Sequence, residues 1–153
     1  MLFKYVNGVV VLNKMIKPSL DVGCDCKAFG EINLDRHRGV PLDVLADLNY
    51  PLPFKNKAFR KVFCYHVLEH LNRPEKVIDE LIRVSRVVEI KVPYKTGSLA
   101  KSDRNHKHFF NSKWFKDYAE NRGLHYGGYV SFDFSRFSIK HFLPLEINVW
   151  IWA

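Results

Sequence analysis

Ser19-Leu20-Asp21-Val22-Gly23-Cys24-Asp25-Cys26-Lys27-Ala28-Phe29-Gly30-Glu31-Ile32-Asn33-Leu34-Asp35 is the stretch that decides the architecture. Residues 19–23 read as a short strand ending in a turn glycine, and residues 31–35 as a second strand ending on an acid. A parallel strand pair normally needs a crossover of a dozen or more residues, usually helical, yet only 14 positions separate Asp21 from Asp35. Residues 24–30 cannot hold a regular helix, so the first crossover is expected to be a loop.

Downstream, residues 43–47 form a third apolar run that again ends on an acid. Tyr50-Pro51-Leu52-Pro53-Phe54 is extended, because each proline disfavours helix in the residue before it. Residues 61–65 read as a fully buried strand, followed by a short helix over 66–71. A longer helix over 74–85, capped by Asn72, carries Val77, Ile78, Leu81, Ile82 and Val84 at helical spacing. Pro74 lies in its first turn, where a missing N–H costs nothing. A strand over 87–92 stops at Pro93, a polar loop covers 96–105, and a helix over 112–121 starts at Asn111 or Ser112 and closes at Gly123. Residues 126–134 and 145–152 read as strands that form an antiparallel edge, with Trp150 and Trp152 sharing one face. Upstream, residues 9–12 fit either a strand or the buried face of a short helix. Strands alternating with helices predict an α/β fold with a largely parallel sheet.

Apolar residues make up 47% and charged residues 26% of the 153, the balance of one folded domain over 1–153, which excludes a disordered or collagen-like chain. The formal charge of +8 favours anionic partners, nucleic acid among them, although the basic residues are dispersed and no run of five occurs. Cys24, Cys26 and Cys64 are odd in number and lack a second pair to complete a zinc site, so reduced thiols and a cytoplasmic protein are expected. Residues 9–12 are far short of the ~20 apolar residues of a membrane helix and of a signal-peptide core, so no membrane partner is expected.

Gly23, Asp35 and Asp47 close three successive strands. In an open parallel sheet, ligands bind outside the carboxyl ends of the strands, near the point where strand order reverses. A glycine there lets a ligand approach the backbone, and an acid ending the second strand can accept from both hydroxyls of a ribose. The set suits a nucleoside-like ligand, whereas no Gly-x-x-x-x-Gly-Lys-[Ser/Thr] phosphate loop is present.

The order of motifs carries a family resemblance. Leu20-Asp21-Val22-Gly23-Cys24, Ile32-Asn33-Leu34-Asp35, Val44-Leu45-Ala46-Asp47-Leu48, Pro51-Leu52-Pro53-Phe54, His66-Val67-Leu68-Glu69-His70-Leu71, Glu80-Leu81-Ile82-Arg83-Val84 and Val92-Pro93 occur in sequence. Together they resemble the small class I S-adenosylmethionine-dependent methyltransferases of the type 11 kind. Asp103-Arg104-Asn105-His106-Lys107-His108-Phe109-Phe110, followed by a helix, is similar to that family's C-terminal portion. The resemblance implies a Rossmann-like sheet flanked by helices and S-adenosylmethionine as cofactor. It further implies that the turn Asp21-Val22-Gly23-Cys24 lines the methionine part, where the neighbouring Asp25 would either repel the cofactor's carboxylate or pair with its ammonium, that Asp35 binds the ribose, and that Asp47 and Leu48 meet the adenine. Tyr65 and His66 would face the sulfonium methyl group. From its own loop, His106, with His108, reads either as closing over the acceptor or acting as a base, or as part of a loop that packs Phe109 and Phe110 onto the sheet.

Two features depart from the family pattern. Asp25 stands where a second glycine is usual, and the first crossover helix is missing. An alternative reading is therefore a methyltransferase fold without turnover, acting as a binding module for nucleic acid or a partner protein. His66-Val67-Leu68-Glu69-His70 also fits the His-x-x-Glu-His pattern of inverted zinc peptidases. Because it coincides with the family's own His-x-Leu-Glu-His, no metal is expected, and Glu69 or His70 is assigned to orienting the adjoining loop. Lys101, Arg104 and Lys107 make the 96–105 loop and its continuation basic, which favours an anionic acceptor.

Overall fold

The structure, a computed structural model, describes residues 3–6, 9–12, 17–132 and 144–153. Two short strands near the N-terminus, β1 (Phe3–Val6) and β2 (Val9–Leu12), pair antiparallel, which settles the 9–12 ambiguity in favour of a strand. The remaining strands form one seven-stranded sheet: β3 (Ser19–Val22), β4 (Ile32–Asp35), β5 (Val44–Leu45), β6 (Lys61–Tyr65), β7 (Val87–Pro93), β8 (His125–Phe132) and β9 (Pro144–Trp152). Their spatial order is β5-β4-β3-β6-β7-β9-β8.

The five strands from β5 to β7 are mutually parallel, in registers such as Leu20 opposite Ile32 and Val62 opposite Val88. Only β9 runs against them. It fills the gap between β7 and β8 and pairs antiparallel with both, so β8 runs with the parallel set. The last two strands thus form the expected antiparallel edge pair, with β9 as its inner member.

Helices are few. A 3-10 turn spans Leu68–His70, and α1 (Pro74–Val84) joins β6 to β7. α2 (Ser98–Ser102) and α3 (Ser112–Glu120) lie between β7 and β8. Residues 23–31, between β3 and β4, contain no helix, as the short spacing predicts. No helix lies between β4 and β6 either. The short helix expected over 66–71 shrinks to three residues because His66 takes φ +55 and Val67 is not helical. The loop expected over 96–105 instead holds α2, whose turn buries Ala100 and is entered from extended Gly97.

Asn72 does not cap α1. The N-cap is Arg73, and the Asn72 side-chain oxygen accepts from Lys107 Nζ at 2.8 Å. Asn111 does cap α3, its Oδ1 accepting from the Trp114 N–H at 2.9 Å.

The apolar stripe of α1, Val77, Ile78, Leu81 and Val84, packs against the face of the sheet formed by Val62, Cys64, Val88 and Ile90. Phe115, Tyr118 and Ala119 of α3 cover the β8–β9 end, with Ile147, Val149 and Ile151 buried on the same face. Each fully buried aliphatic side chain contributes about 1.5–3 kcal/mol. The Tyr118 hydroxyl and the Arg122 guanidinium both donate to Asp79, tying α3 to α1.

The opposite face carries Lys61, Phe63, Tyr65, Glu89, Lys91 and Trp150, partly exposed, so β6 alternates and is not buried on both sides as its sequence suggests. Polar and aromatic contacts hold this face. Glu89 accepts from Tyr65 and from Trp150 Nε1 and pairs with Lys61, while the Phe29 and Tyr65 rings meet edge to face at 4.9 Å.

Candidate active site

The carboxyl ends of β3, β4, β5 and β6 surround a cleft of about 640 Å³, within the range of small-molecule sites. It spans the reversal point of the sheet: from β3 the chain goes to β4 on one side, and β6 returns on the other. Gly23 closes β3 into the cleft at φ +69, and its N–H donates to Leu34 O at 2.8 Å. A Cβ there would come 2.4 Å from Val67 Cγ2, so both backbone and space require glycine.

Asp35 ends β4 at the cleft. Its Oδ1 accepts from the His37 N–H at 2.9 Å and its Oδ2 from the Asp25 N–H at 3.2 Å. Burial pushes this carboxyl up, but the N–H groups of His37, Asp25 and Arg36 and the His37 ring outweigh it, holding Asp35 below its usual value. An ionised carboxylate with two oxygens keeps free acceptor sites after two such bonds. Asp47 is anchored in the same manner, its Oδ1 accepting from the backbone and side chain of Asn49, both at 2.9 Å. Leu48 adds a buried apolar surface beside it.

His66 lines the opposite wall. Glu146, 3.0 Å from Nε2, and Glu69, 3.5 Å from Nδ1, push it up to about 9 against the opposing effect of burial. Its left-handed φ, rare for a residue with a side chain, turns the chain sharply off β6.

Of the residues singled out in the sequence, Gly23, Asp35, Asp47, Leu48 and His66 meet in the cleft. Asp21, Cys24, Asp25, Tyr65 and His106 do not line it. Asp21 shares the pleat of Phe63, and its Oδ2 accepts from the Phe29 N–H at 2.9 Å. Burial pushes Asp21 up to about 6, partly opposed by that bond. The Cys24 thiol is turned toward Pro41 O, at 3.5 Å, and burial raises it. Asp25 is exposed at φ +42 and touches the site only through its N–H to Asp35. Tyr65 lies on the other face of the sheet under Lys91, bonded to Glu89, with burial and that carboxylate pushing its hydroxyl well up. His106 sits behind His70, ring centroids 4.8 Å apart, with Nδ1 2.9 Å from Ala100 O.

Sequence reasoning missed Arg36 and His37, which line the cleft directly after Asp35. Their adjacency to a strand-ending acid was the available signal. Arg104 and Lys107 of the basic loop line it too. The loop-orienting role expected of Glu69 belongs to its backbone carbonyl, which accepts from the N–H groups of Lys107 at 2.7 Å and His108 at 3.2 Å.

Comparison with known proteins agrees with this geometry. Residues 20–87 match a family described as a methyltransferase domain. No curated protein sequence matches the chain. Among solved structures, an S-adenosylmethionine-dependent methyltransferase of Thermotoga maritima superposes with a TM-score of 0.66 at 12% identity, over 88% of this chain and 80% of that one. One from Archaeoglobus fulgidus gives 0.65 at 16% identity, over 88% and 85%. The YcgJ protein of Bacillus subtilis gives 0.61 at 12% identity, over 88% and 91%. At such identities the likeness is one of fold. The chain therefore carries the fold of the class I S-adenosylmethionine-dependent methyltransferases, and residues 20–87 are its match to the methyltransferase domain.

Proposed function

We propose that this protein is a single-domain, cytoplasmic methyltransferase that uses S-adenosylmethionine and acts on an anionic acceptor. The observation that carries this reading is that Gly23 and Asp35, at the adjoining ends of β3 and β4, both line the switch-point cleft. A backbone without a Cβ lies beside a carboxylate fixed by two N–H bonds, a pair that suits a nucleoside-bearing cofactor.

When bound, the cofactor supplies an electrophilic methyl group on a sulfonium. The chain's own residues would do the rest by positioning, which can account for much of the rate of an in-line displacement. Asp35 would accept from the ribose hydroxyls, Asp47 from the adenine amine, and Leu48 would pack on the base. Gly23 would let the methionine part lie against the backbone. Tyr65 and His106 do not line the cleft and are given no part in the transfer. Arg36, Arg104 and Lys107 at the cleft support an anionic acceptor, and with a net charge of +8 they make RNA the first to screen. The cytoplasmic assignment is supported by three free thiols among the described residues. No helix among those residues is long and apolar enough to cross a membrane.

The test is thermal denaturation with and without S-adenosylhomocysteine. A ligand that binds only the folded state stabilises it by about 2.7 kcal/mol at a hundred times its Kd. The expected result is a saturable rise in Tm that is reduced in Asp35→Ala. No rise, or an equal rise in that variant, would refute the assignment of the cleft.

A further inference from the structure

Glu69 is the least satisfied side chain near the cleft. It is 1% exposed, and neither carboxylate oxygen has a hydrogen-bond partner among the described residues. A buried carboxylate is strongly disfavoured unless something pairs with it. His66 Nδ1 faces Oε1 at 3.5 Å, an ion pair when the ring is protonated but longer than a normal hydrogen bond, and its other nitrogen is committed to Glu146, while Oε2 has no hydrogen-bond partner among the described residues.

Two more imidazoles converge on the same carboxylate. One ligand atom each from Glu69, His70 and His106 lies within 4.8 Å of the others. His106 Nδ1 lies 2.9 Å from Ala100 O. With the proton on Nδ1 donated to that carbonyl, Nε2 keeps its lone pair, the way metal-ligating histidines are commonly oriented. Local structure holds the three together. Glu69 and His70 share the 3-10 turn, and the loop that brings His106 is pinned to that turn by the Lys107 and His108 N–H bonds to Glu69 O.

We infer that Glu69, His70 and His106 form a binding site for one divalent transition-metal ion in the wall of the cleft. Two imidazoles and a carboxylate suit zinc, manganese, iron or cobalt, whereas magnesium and calcium prefer all-oxygen sets. Three protein ligands leave coordination positions for water or for an oxygen of a cleft ligand. His70 lines the cleft beside Arg104 and Asn105, so the bound ion is part of its wall. With neutral imidazoles the ligands carry one negative charge, so the occupied site is net positive and adds to the pull on anionic ligands. This reverses the expectation of no metal. The ligand set is not the His66 and His70 pair of the peptidase pattern, and its third member comes from a distant loop. The inference does not depend on methyl transfer.

The test uses full-length protein stripped with a chelator, then titrated with CoCl2 followed by visible absorption and with ZnCl2 followed by calorimetry. One equivalent should bind with the absorption of an imidazole-carboxylate site, and His70→Ala and His106→Ala should each weaken Zn2+ binding by at least about tenfold. Both histidines are partly exposed, so these variants remain usable if Glu69→Gln fails to fold. No saturable binding up to about 1 mM Zn2+, a limit corresponding to about 4 kcal/mol, or wild-type affinity in both histidine variants, would overturn the site. S-adenosylhomocysteine binding, measured on the same samples, reports separately on the methyltransferase reading.

Discussion

The two halves of the sheet are held together by different physics. The half built on β6, β7, β9 and β8 is sealed by α1 and α3, and its interior is aliphatic and aromatic: Ile78, Leu81, Val88, Ile90, Phe115 and Ile151 are fully buried. The half built on β3, β4 and β5 has no crossover helices, and carboxylates tie its loops down. Asp21 holds Phe29 N, Asp35 holds the N–H groups of Asp25 and His37, Asp43 holds Asn33 N, and Asp47 holds Asn49 N. At the seam Glu80 of α1 takes the Leu52 N–H, while Arg83 takes the carbonyls of Leu52 and Phe54. In the loop half the acids satisfy backbone donors that a helix would have satisfied itself. The candidate binding acids therefore also support the fold, and the cleft sits where packing is thinnest.

The contrast can be broken from either side. The largest effect should come from the packed half: Leu81→Ala removes a fully buried side chain under α1 and should cost about 2–5 kcal/mol in denaturant unfolding. Next, Asp35→Ala should weaken S-adenosylhomocysteine binding by about 1.5–3 kcal/mol, as for a lost bond to a charged group, and lower stability as well. Asp35→Asn, which keeps an acceptor oxygen, should separate the two losses.

Gly30→Ala probes the helix-free crossover. Its Cβ would meet Asp21 N at 2.5 Å and Ile32 O at 2.7 Å, both backbone, so a loss of about 1–3 kcal/mol is expected by chemical denaturation. The smallest effect is a pH signature. Asp21 holds its proton to about 6 when folded and releases it near 3.8 when unfolded. Between these values the folded state binds more protons, so the contribution of Asp21 to stability falls as pH rises from 4 to 6 and stays lower above. Asp21→Asn, which can still accept from Phe29 N, should raise Tm relative to the native chain at pH 7, with the gain fading toward pH 4. A gain that does not vary with pH would exclude this origin.

Much of this division is legible in the sequence. The spacing from Asp21 to Asp35 is too short for a helix, and the structure has none there. The stripe from Val77 to Val84 appears on α1 as expected, because helical periodicity reports directly on burial. What escaped were features set by distant parts of the chain. β9 inserts between β7 and β8, out of chain order, which no local pattern encodes. Tyr65 leaves the cleft because strand alternation places it with Glu89 and Phe29, whereas His66, one residue on, turns in through a left-handed φ. Five of the predicted site residues share the cleft because strand ends converge by topology. Asp21, two residues before Gly23, and Cys24, one after it, point elsewhere.

The most direct measurement is calorimetric titration of the purified protein with S-adenosylhomocysteine at moderate salt. The account predicts saturable one-to-one binding, weakened in Asp35→Ala and unchanged in Tyr65→Phe, whose ring lies on the other face of the sheet. No detectable heat up to about millimolar ligand, a free energy of about 4 kcal/mol or less, would contradict the claim that the switch-point cleft is a cofactor site.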